Sequence, residues 1–170
     1  MKNLDIQYYS SLKIAGVYFQ VYSTHKGIRR IFLNYKETKV NSPSITKLHP
    51  DDPYMFNIFN ELKEYFNGER KKFNVPLDIE GTEFQKKVWN ELMKIPYGKL
   101  KTYKEVAIRI GNKNAVRAIG RANSTNHIPI IIPCHRVIAS NGSLGGYSGG
   151  ISLKEKLLEL EGSLSLELFE

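Results

Sequence analysis

The sequence predicts an α/β chain of the α+β kind. A small N-terminal antiparallel sheet with a helix comes first, and a mainly helical C-terminal domain with a candidate helix-turn-helix follows. Three observations predict this. Two early runs, 12–22 (LKIAGVYFQVY) and 28–35 (IRRIFLNY), are rich in β-branched and aromatic residues. The second half instead carries amphipathic stretches opened by Thr/Ser-x-x-Gln/Glu and closed by glycine. Between them, 69–81 is an irregular connector with Pro76 and Gly81, which sets domains at 1–80 and 81–170.

In order, the two runs read as strands joined by a turn around Lys26-Gly27, and 36–50 reads as a loop. Asp52-Pro53 opens a helix whose inward face is Met55, Phe56, Phe59, Leu62, Tyr65 and Phe66, with Gly68 at its end. Thr82-x-x-Gln85 caps a helix with Phe84, Val88, Trp89, Leu92 and Ile95 on one face, stopped by Pro96-Tyr97-Gly98. Thr102-x-x-Glu105 opens a short helix ending at Gly111, Asn112-Lys113-Asn114 turns the chain, and 115–123 (AVRAIGRAN) forms another. The pair is either a helix-turn-helix or a plain αα-hairpin. Ser152-x-x-Glu155 is expected to cap a last helix, with Leu153, Leu157, Leu158 and Leu160 inward and Gly162 at its end. The tail SLSLELFE has no clear assignment.

Composition limits the function. Hydrophobic residues are 41% and charged residues 25% of 170, ordinary for a globular protein. No apolar run approaches the ~20 residues of a membrane span. The opening MKNLDIQYYSS is too polar for a secretory signal, so a cytoplasmic protein is expected. A single cysteine, Cys134, excludes a disulfide framework and any multi-thiolate zinc site, and the four histidines lack ligand spacing. Neither metal nor cofactor is expected. The net charge of +8 is uneven: residues 84–150 hold 11 Lys and Arg against only Glu91 and Glu105. That stretch is either a footprint for nucleic acid or a solvated lysine-rich surface.

Two features have chemical promise. In the helix at 115–123, Arg117 and Arg121 share a face beside Ala118, Gly120 and Ala122. The small residues suit close packing against another helix, or close approach to a nucleic-acid groove with arginines reaching phosphates or the base stack. The second feature is IPIIIPCHRVIAS, 128–140. Cys134 there is either a small core residue or a nucleophile, and a nucleophile needs a base or positive charge to form thiolate. His135 is adjacent, which favours a water-bridged contact or one made by a tight turn. Glu161 is a candidate to fix the histidine tautomer. The glycine-rich 139–150 needs unusual backbone angles or approaches a ligand closely.

In GTEFQKKVW (81–89), IPYGKLKTY (95–103), RAIGRAN (117–123), IPCHRVI (132–138), GYSGG (146–150) and KEKLLELEG (154–162), the chain resembles the O6-alkylguanine-DNA alkyltransferases. These are the methylated-DNA–protein-cysteine methyltransferases. The six blocks cover most of the second half in order. The resemblance implies a single-turnover repair protein that flips O6-alkylguanine, chiefly O6-methylguanine, from duplex DNA and keeps the alkyl group on Cys134. It implies that His135 deprotonates the thiol through a water, that Glu161 orients His135, and that Asn126 ties the turn after the recognition helix to the active loop. Tyr103 would turn out and hydrogen-bond the base, and Arg117 would fill the gap in the stack. Ala118, Gly120 and Arg121 would meet the minor groove. Asn123, Val137, Tyr147, Ser148 and Gly149 would line the pocket. The partner implied is double-stranded DNA, with no membrane, and the protein a monomer; cooperative assembly on DNA stays open. The alternative is a non-catalytic sensor of alkylated DNA. Departures from the pattern are Thr102 where serine is frequent, His127 where proline is common, and Ser124 where some members are basic.

Overall fold

A computed structural model describes residues 6–34 and 44–164. The chain divides into two compact units, Met1–Glu80 and Gly81–Glu170. The N-terminal segment 1–5 and most of the tail SLSLELFE lie outside the described residues.

The first unit holds β1 (Tyr8–Ile14), β2 (Val17–Thr24), β3 (Gly27–Leu33), β4 (Thr46–Lys47) and α1 (Pro53–Phe66), the sheet running β3-β2-β1-β4. The expected strand 12–22 is in fact the end of β1, a turn, and most of β2. Ala15 at φ 49° and Gly16 at φ 85° make the two-residue turn, whose left-handed angles match the twist of a hairpin. Ala-Gly inside an apolar run lacks the polar signature of such turns, so the sequence reads as continuous strand. The next turn falls at His25-Lys26, one residue earlier than expected. Gly27 is required beyond it: a Cβ there would lie 2.3 Å from the Pro76 carbonyl oxygen, which accepts from Ile28 N at 2.9 Å. Within the expected loop 36–50, Thr46 and Lys47 pair in parallel with Tyr8 and Tyr9, so the sheet is antiparallel with a short parallel edge. Residues 36–43 of that loop, and Tyr35 at the end of the expected strand 28–35, are outside the described residues.

Asp52 caps α1 by accepting from Tyr54 N at 3.1 Å, and Pro53 takes the first position, where its missing N–H costs nothing. Met55, Ile58, Phe59, Leu62 and Tyr65 form the buried stripe. Phe56, expected inward, is 49% exposed. The 55-58-59-62-65 spacing already fills the inward arc, and position 56 lies off it.

The second unit holds α2 (Glu83–Leu92), β5 (Lys101–Thr102), α3 (Tyr103–Arg109), α4 (Val116–Ser124), a 3-10 turn (Cys134–Arg136), β6 (Val137–Ile138) and α5 (Ile151–Leu160). Both capping boxes are complete. Thr82 accepts from Gln85 N while Gln85 accepts from Thr82 N, and Thr102 and Glu105 do the same. Val88, Trp89, Leu92 and Ile95 are buried, while Phe84 is only half-buried. The Trp89 indole donates to the Ala122 carbonyl at 2.8 Å and so locks α2 to α4. β5 and β6 pair in parallel, Lys101 opposite Val137 and Thr102 opposite Ile138. The start of α5 differs from expectation. Gly150, at φ 88°, is the cap, no side chain caps the helix, and Ser152 lies inside its first turn. Only glycine enters at that angle without strain, and the glycine-rich loop therefore runs directly into the helix. Leu153, Leu157 and Leu158 are buried, but Leu160 is half-buried, and Lys154 completes the inward face. No helix among the described residues is long and apolar enough to cross a membrane.

Candidate active site

The second unit gathers its functional candidates around the 3-10 turn. Pro129 and Pro133 stiffen the approach, and the tight turn gathers Cys134, His135 and Arg136 in a buried cluster. Cys134 is 2% exposed. Burial pushes its thiol up to about 11, opposed by a hydrogen bond from Asn126 and by the charge of Lys154. Asn126 Nδ2 donates to Sγ at 3.0 Å and to the Ile132 carbonyl at 2.8 Å, and its Oδ1 accepts from Ile128 N at 2.9 Å. One side chain thus ties the segment after α4 to the thiol. Asn123 Nδ2 adds a longer bond to the Cys134 carbonyl, at 3.4 Å.

His135 is fully buried, which depresses its pKa despite the pull of Glu161, so the ring is neutral. Its Nε2 lies 2.9 Å from Glu161 Oε1. Burial would raise the Glu161 carboxyl, but bonds from His135 and Arg136 hold it at about 2. An ionised carboxylate only accepts, so Nε2 carries the proton and Nδ1 presents a lone pair. Nδ1 is buried with no protein partner among the described residues. The geometry therefore supplies an oriented neutral imidazole with its basic nitrogen open.

Arg136 completes the Glu161 carboxylate. Its Nε donates to Oε2 at 2.8 Å, Nη2 to Oε1 at 2.9 Å, and Nη1 to the Ile95 carbonyl at 2.6 Å. The Gly98 amide donates to Oε2 at 3.2 Å, and a Cβ at Gly98 would lie 2.7 Å from the Glu161 carbonyl oxygen. The Pro96-Tyr97-Gly98 stop is thus also a contact of the buried carboxylate. A forked Arg–carboxylate pair of this kind is satisfied as a unit and costly to break singly.

Lys154 is wholly buried, and its ammonium donates to the Val137 carbonyl at 2.7 Å and to the Leu144 carbonyl. It joins α5 to the strand leaving Cys134 and to the glycine-rich loop. Burial lowers its pKa to about 8, partly offset by Cys134. Sequence reasoning missed both Arg136 and Lys154 as parts of the site. The signal for Lys154 was its place three and four residues before Leu157 and Leu158, on the buried stripe.

The remaining candidates separate into two groups. Tyr103 is half-buried at the first position of α3, and burial and then the Cys134 charge raise its pKa. A Cβ at Gly145 would lie 3.3 Å from the Tyr103 hydroxyl, so that loop glycine permits a close approach. Val137 is buried, and the Tyr147 ring meets His135 edge-on at 6.3 Å. Gly149 is half-buried, whereas Ser148 is exposed and belongs to the outer side of the loop. On α4, Ile119, Ala122 and Asn123 pack inward, and Arg117, Ala118 and Arg121 are exposed. Among the described residues, nothing beyond its chain neighbours and its own helix backbone would lie within 4 Å of a methyl group at Gly120, so close packing against them does not account for the small residue. Ala118 and Arg121 border a cleft of about 230 Å³ with Thr82, Gln85 and Thr125. Among the described residues no group of three or more His, Cys, Asp or Glu could hold a metal.

A buried thiol, a neutral histidine oriented by a carboxylate, and a helix that bonds the thiol's backbone through Asn123 while exposing Arg117 and Arg121 are the parts of a cysteine-based protein that meets nucleic acid. Family comparison makes this specific. Residues 83–163 match the 6-O-methylguanine DNA methyltransferase DNA-binding domain, and residues 8–79 match the ribonuclease-like domain of the same family. A methylated-DNA–protein-cysteine methyltransferase of Methanosarcina acetivorans is 59% identical over 61% of this chain and 66% of its own length. That of Mycobacterium bovis is 50% identical over 71% and 73%. The crystal structure of Mycobacterium tuberculosis OGT in complex with DNA superposes with a TM-score of 0.81 at 37% identity, covering 92% of this chain and 93% of that one. The chain belongs to the 6-O-methylguanine DNA methyltransferase family.

Proposed function

We propose that this chain is a single-turnover DNA repair protein that takes O6-alkylguanine, chiefly O6-methylguanine, out of the duplex and moves the alkyl group irreversibly to Cys134. The observation that carries the reading is the neutral His135, anchored through Nε2 on Glu161 with Nδ1 open, next to a thiol held by Asn126. A buried thiol at about 11 is inert until something removes its proton. Nδ1 of His135 takes that proton through a water, while the Asn126 amide and the Lys154 charge stabilise the sulfur anion. Sulfur then attacks the alkyl carbon in line: the S–C bond forms, the C–O6 bond breaks, and the electron pair leaves on guanine. Tyr103 supplies a proton or hydrogen bond to the departing base, which makes guanine a better leaving group. The product is a thioether, so no base regenerates the thiol and each molecule acts once.

Access to the base requires extrusion from the stack, which costs a few kcal/mol and least at a damaged pair. The exposed face of α4 approaches through the minor groove, Ala118 and Gly120 keeping its profile low. Arg117 fills the gap left by the guanine, and Arg121 reaches a phosphate. Asn123, Val137, Tyr147 and Gly149 line the guanine pocket, with Ser148 at its rim. The first unit supports the second, and the protein works as a monomer in the cytoplasm.

Intact-mass measurement after incubation with duplex carrying O6-methylguanine tests the proposal. One methyl is expected on Cys134, located by peptide mapping. Tight binding without mass gain would instead identify a non-catalytic sensor of alkylated DNA.

A further inference from the structure

The proposed mechanism needs the Tyr103 hydroxyl placed against the reacting base, yet Tyr103 stands at the first position of a helix of only seven residues. Helices this short are marginal on their own, and their ends fray first. Something must hold the first turn of α3. That turn is linked to the strand leaving Cys134 by the two-residue pairing of Lys101 and Thr102 with Val137 and Ile138. Glu105 fastens that link from the helix side. Its Oε2 accepts from Thr102 N at 2.7 Å and from Thr102 Oγ1 at 3.0 Å, its Oε1 pairs with Lys101 Nζ at 2.7 Å, and its own N–H donates back to Thr102 Oγ1 at 3.1 Å. The carboxylate therefore grips both residues of β5 and, through the reciprocal bond, the turn on which Tyr103 is mounted. The grip holds across the working pH range, since the Lys101 and Thr102 bonds keep Glu105 ionised down to about 2.

We infer that Glu105, with Lys101, is a positioning residue for alkyl transfer: it acts through Tyr103 by fixing the first turn of α3 against the strand that leaves Cys134. It touches neither base nor sulfur. The inference rests on the proposed function, in which Tyr103 assists departure of guanine. A generic capping role would lower stability alone, whereas this one predicts an energetic coupling to a particular side chain.

A double-mutant cycle tests it. Wild type, Glu105→Ala, Tyr103→Phe and the double variant are mixed with saturating duplex carrying O6-methylguanine, and the first-order rate of methyl arrival on Cys134 is followed by quenched intact mass. Glu105→Ala is expected to slow transfer by roughly 10- to 100-fold, the scale of a misplaced catalytic group, with little change in duplex affinity. In the Tyr103→Phe background the same substitution is expected to have almost no further effect. Glu105→Gln, which keeps an oxygen acceptor for Thr102 N, is expected to recover most of the rate. An unchanged rate in Glu105→Ala, or an equal loss with and without the tyrosine hydroxyl, overturns the inference. If Glu105→Ala does not fold, Lys101→Met takes its place in the cycle, with a smaller loss and the same non-additivity expected; additive losses overturn the inference. A wild type that binds but gains no methyl means that the functional reading itself has failed, an outcome distinct from a wild type that transfers while Glu105→Ala does so equally fast.

Discussion

At the scale of single residues, the site is a set of buried groups whose protonation states are chosen by their neighbours. Cys134→Ala should abolish methyl gain while keeping affinity for methylated duplex, read by mass and by fluorescence anisotropy. Loss of both would make the thiol a structural residue. Glu161 is more consequential for stability. Its folded pKa, about 2, lies below the ordinary 4.5. The unfolded chain therefore binds the proton more readily, and the stabilisation is complete above 4.5 and lost as pH falls toward 2. Melting temperature in wild type should drop through that window. Glu161→Gln leaves the Arg136 guanidinium buried without its counter-charge, at a cost of about 3–5 kcal/mol, measurable by urea denaturation at neutral pH. Lys154 runs the other way in pH. Its amine titrates at about 8 rather than 10.5, so above 8 the folded protein loses the ammonium that holds the Val137 and Leu144 carbonyls. The transfer rate is expected to fall above that pH even though thiol ionisation is rising. Lys154→Met should be slow throughout and show no such fall. Stability has the opposite sign, increasing between 8 and 10.5 as the unfolded chain holds the extra proton.

At the scale of elements, α4 offers the sharpest test of why its residues are small. Among the described residues a methyl group at Gly120 meets nothing within 4 Å beyond its own stretch of helix, and alanine favours helix by up to about 1 kcal/mol over glycine. Gly120→Ala should therefore raise the melting temperature and weaken DNA binding, since only the groove side would feel the added bulk. A variant that binds DNA as before would return the glycine to chance. The elements also differ in how plainly the sequence announces them. Thr82-x-x-Gln85 and Thr102-x-x-Glu105 are legible because a capping box is a local exchange of two hydrogen bonds, complete within four residues. Asp52-Pro53 is legible for the same reason. The Ala15-Gly16 turn is not, because its left-handed angles are imposed by strand pairing and leave no polar mark. The cap of α5 misleads: Ser152-x-x-Glu155 has the right letters, but the backbone enters the helix through Gly150 two residues earlier. Cys134, His135 and Glu161 are nameable from motif blocks. Arg136 and Gly98 meet the Glu161 carboxylate, Arg136 also the Ile95 carbonyl, and Lys154 the Val137 carbonyl. Helical spacing marks Lys154 as buried, but these partners are set by the tertiary fold and no local rule names them.

At the scale of the whole molecule, the charge distribution sets how the protein meets DNA. Residues 84–150 hold 11 basic residues against two acidic ones, and some of these are already spent: Arg109 and Lys94 pair with Glu91, Lys101 with Glu105, and Arg136 with Glu161. Arg117 and Arg121 stand exposed on α4. Replacing Arg121 by alanine is expected to weaken binding to any duplex and to reduce the slope of log affinity against log salt by about 1, the contribution of one phosphate contact. An unchanged slope would remove Arg121 from the phosphate set.

The hydrogen bond from Trp89 to the Ala122 carbonyl reaches beyond stability. This is the only tryptophan of the chain, it is 1% exposed, and its donor atom is fastened to the helix that carries Arg117 and Arg121. Any tilt of α4 on meeting a duplex, or on alkylation of the thiol, must alter the field around this one indole, and excitation at the red edge of protein absorption separates its emission from that of the ten tyrosines. The protein thus contains its own optical gauge, and its unlabelled emission spectrum can time the movement of α4 against the arrival of the methyl group.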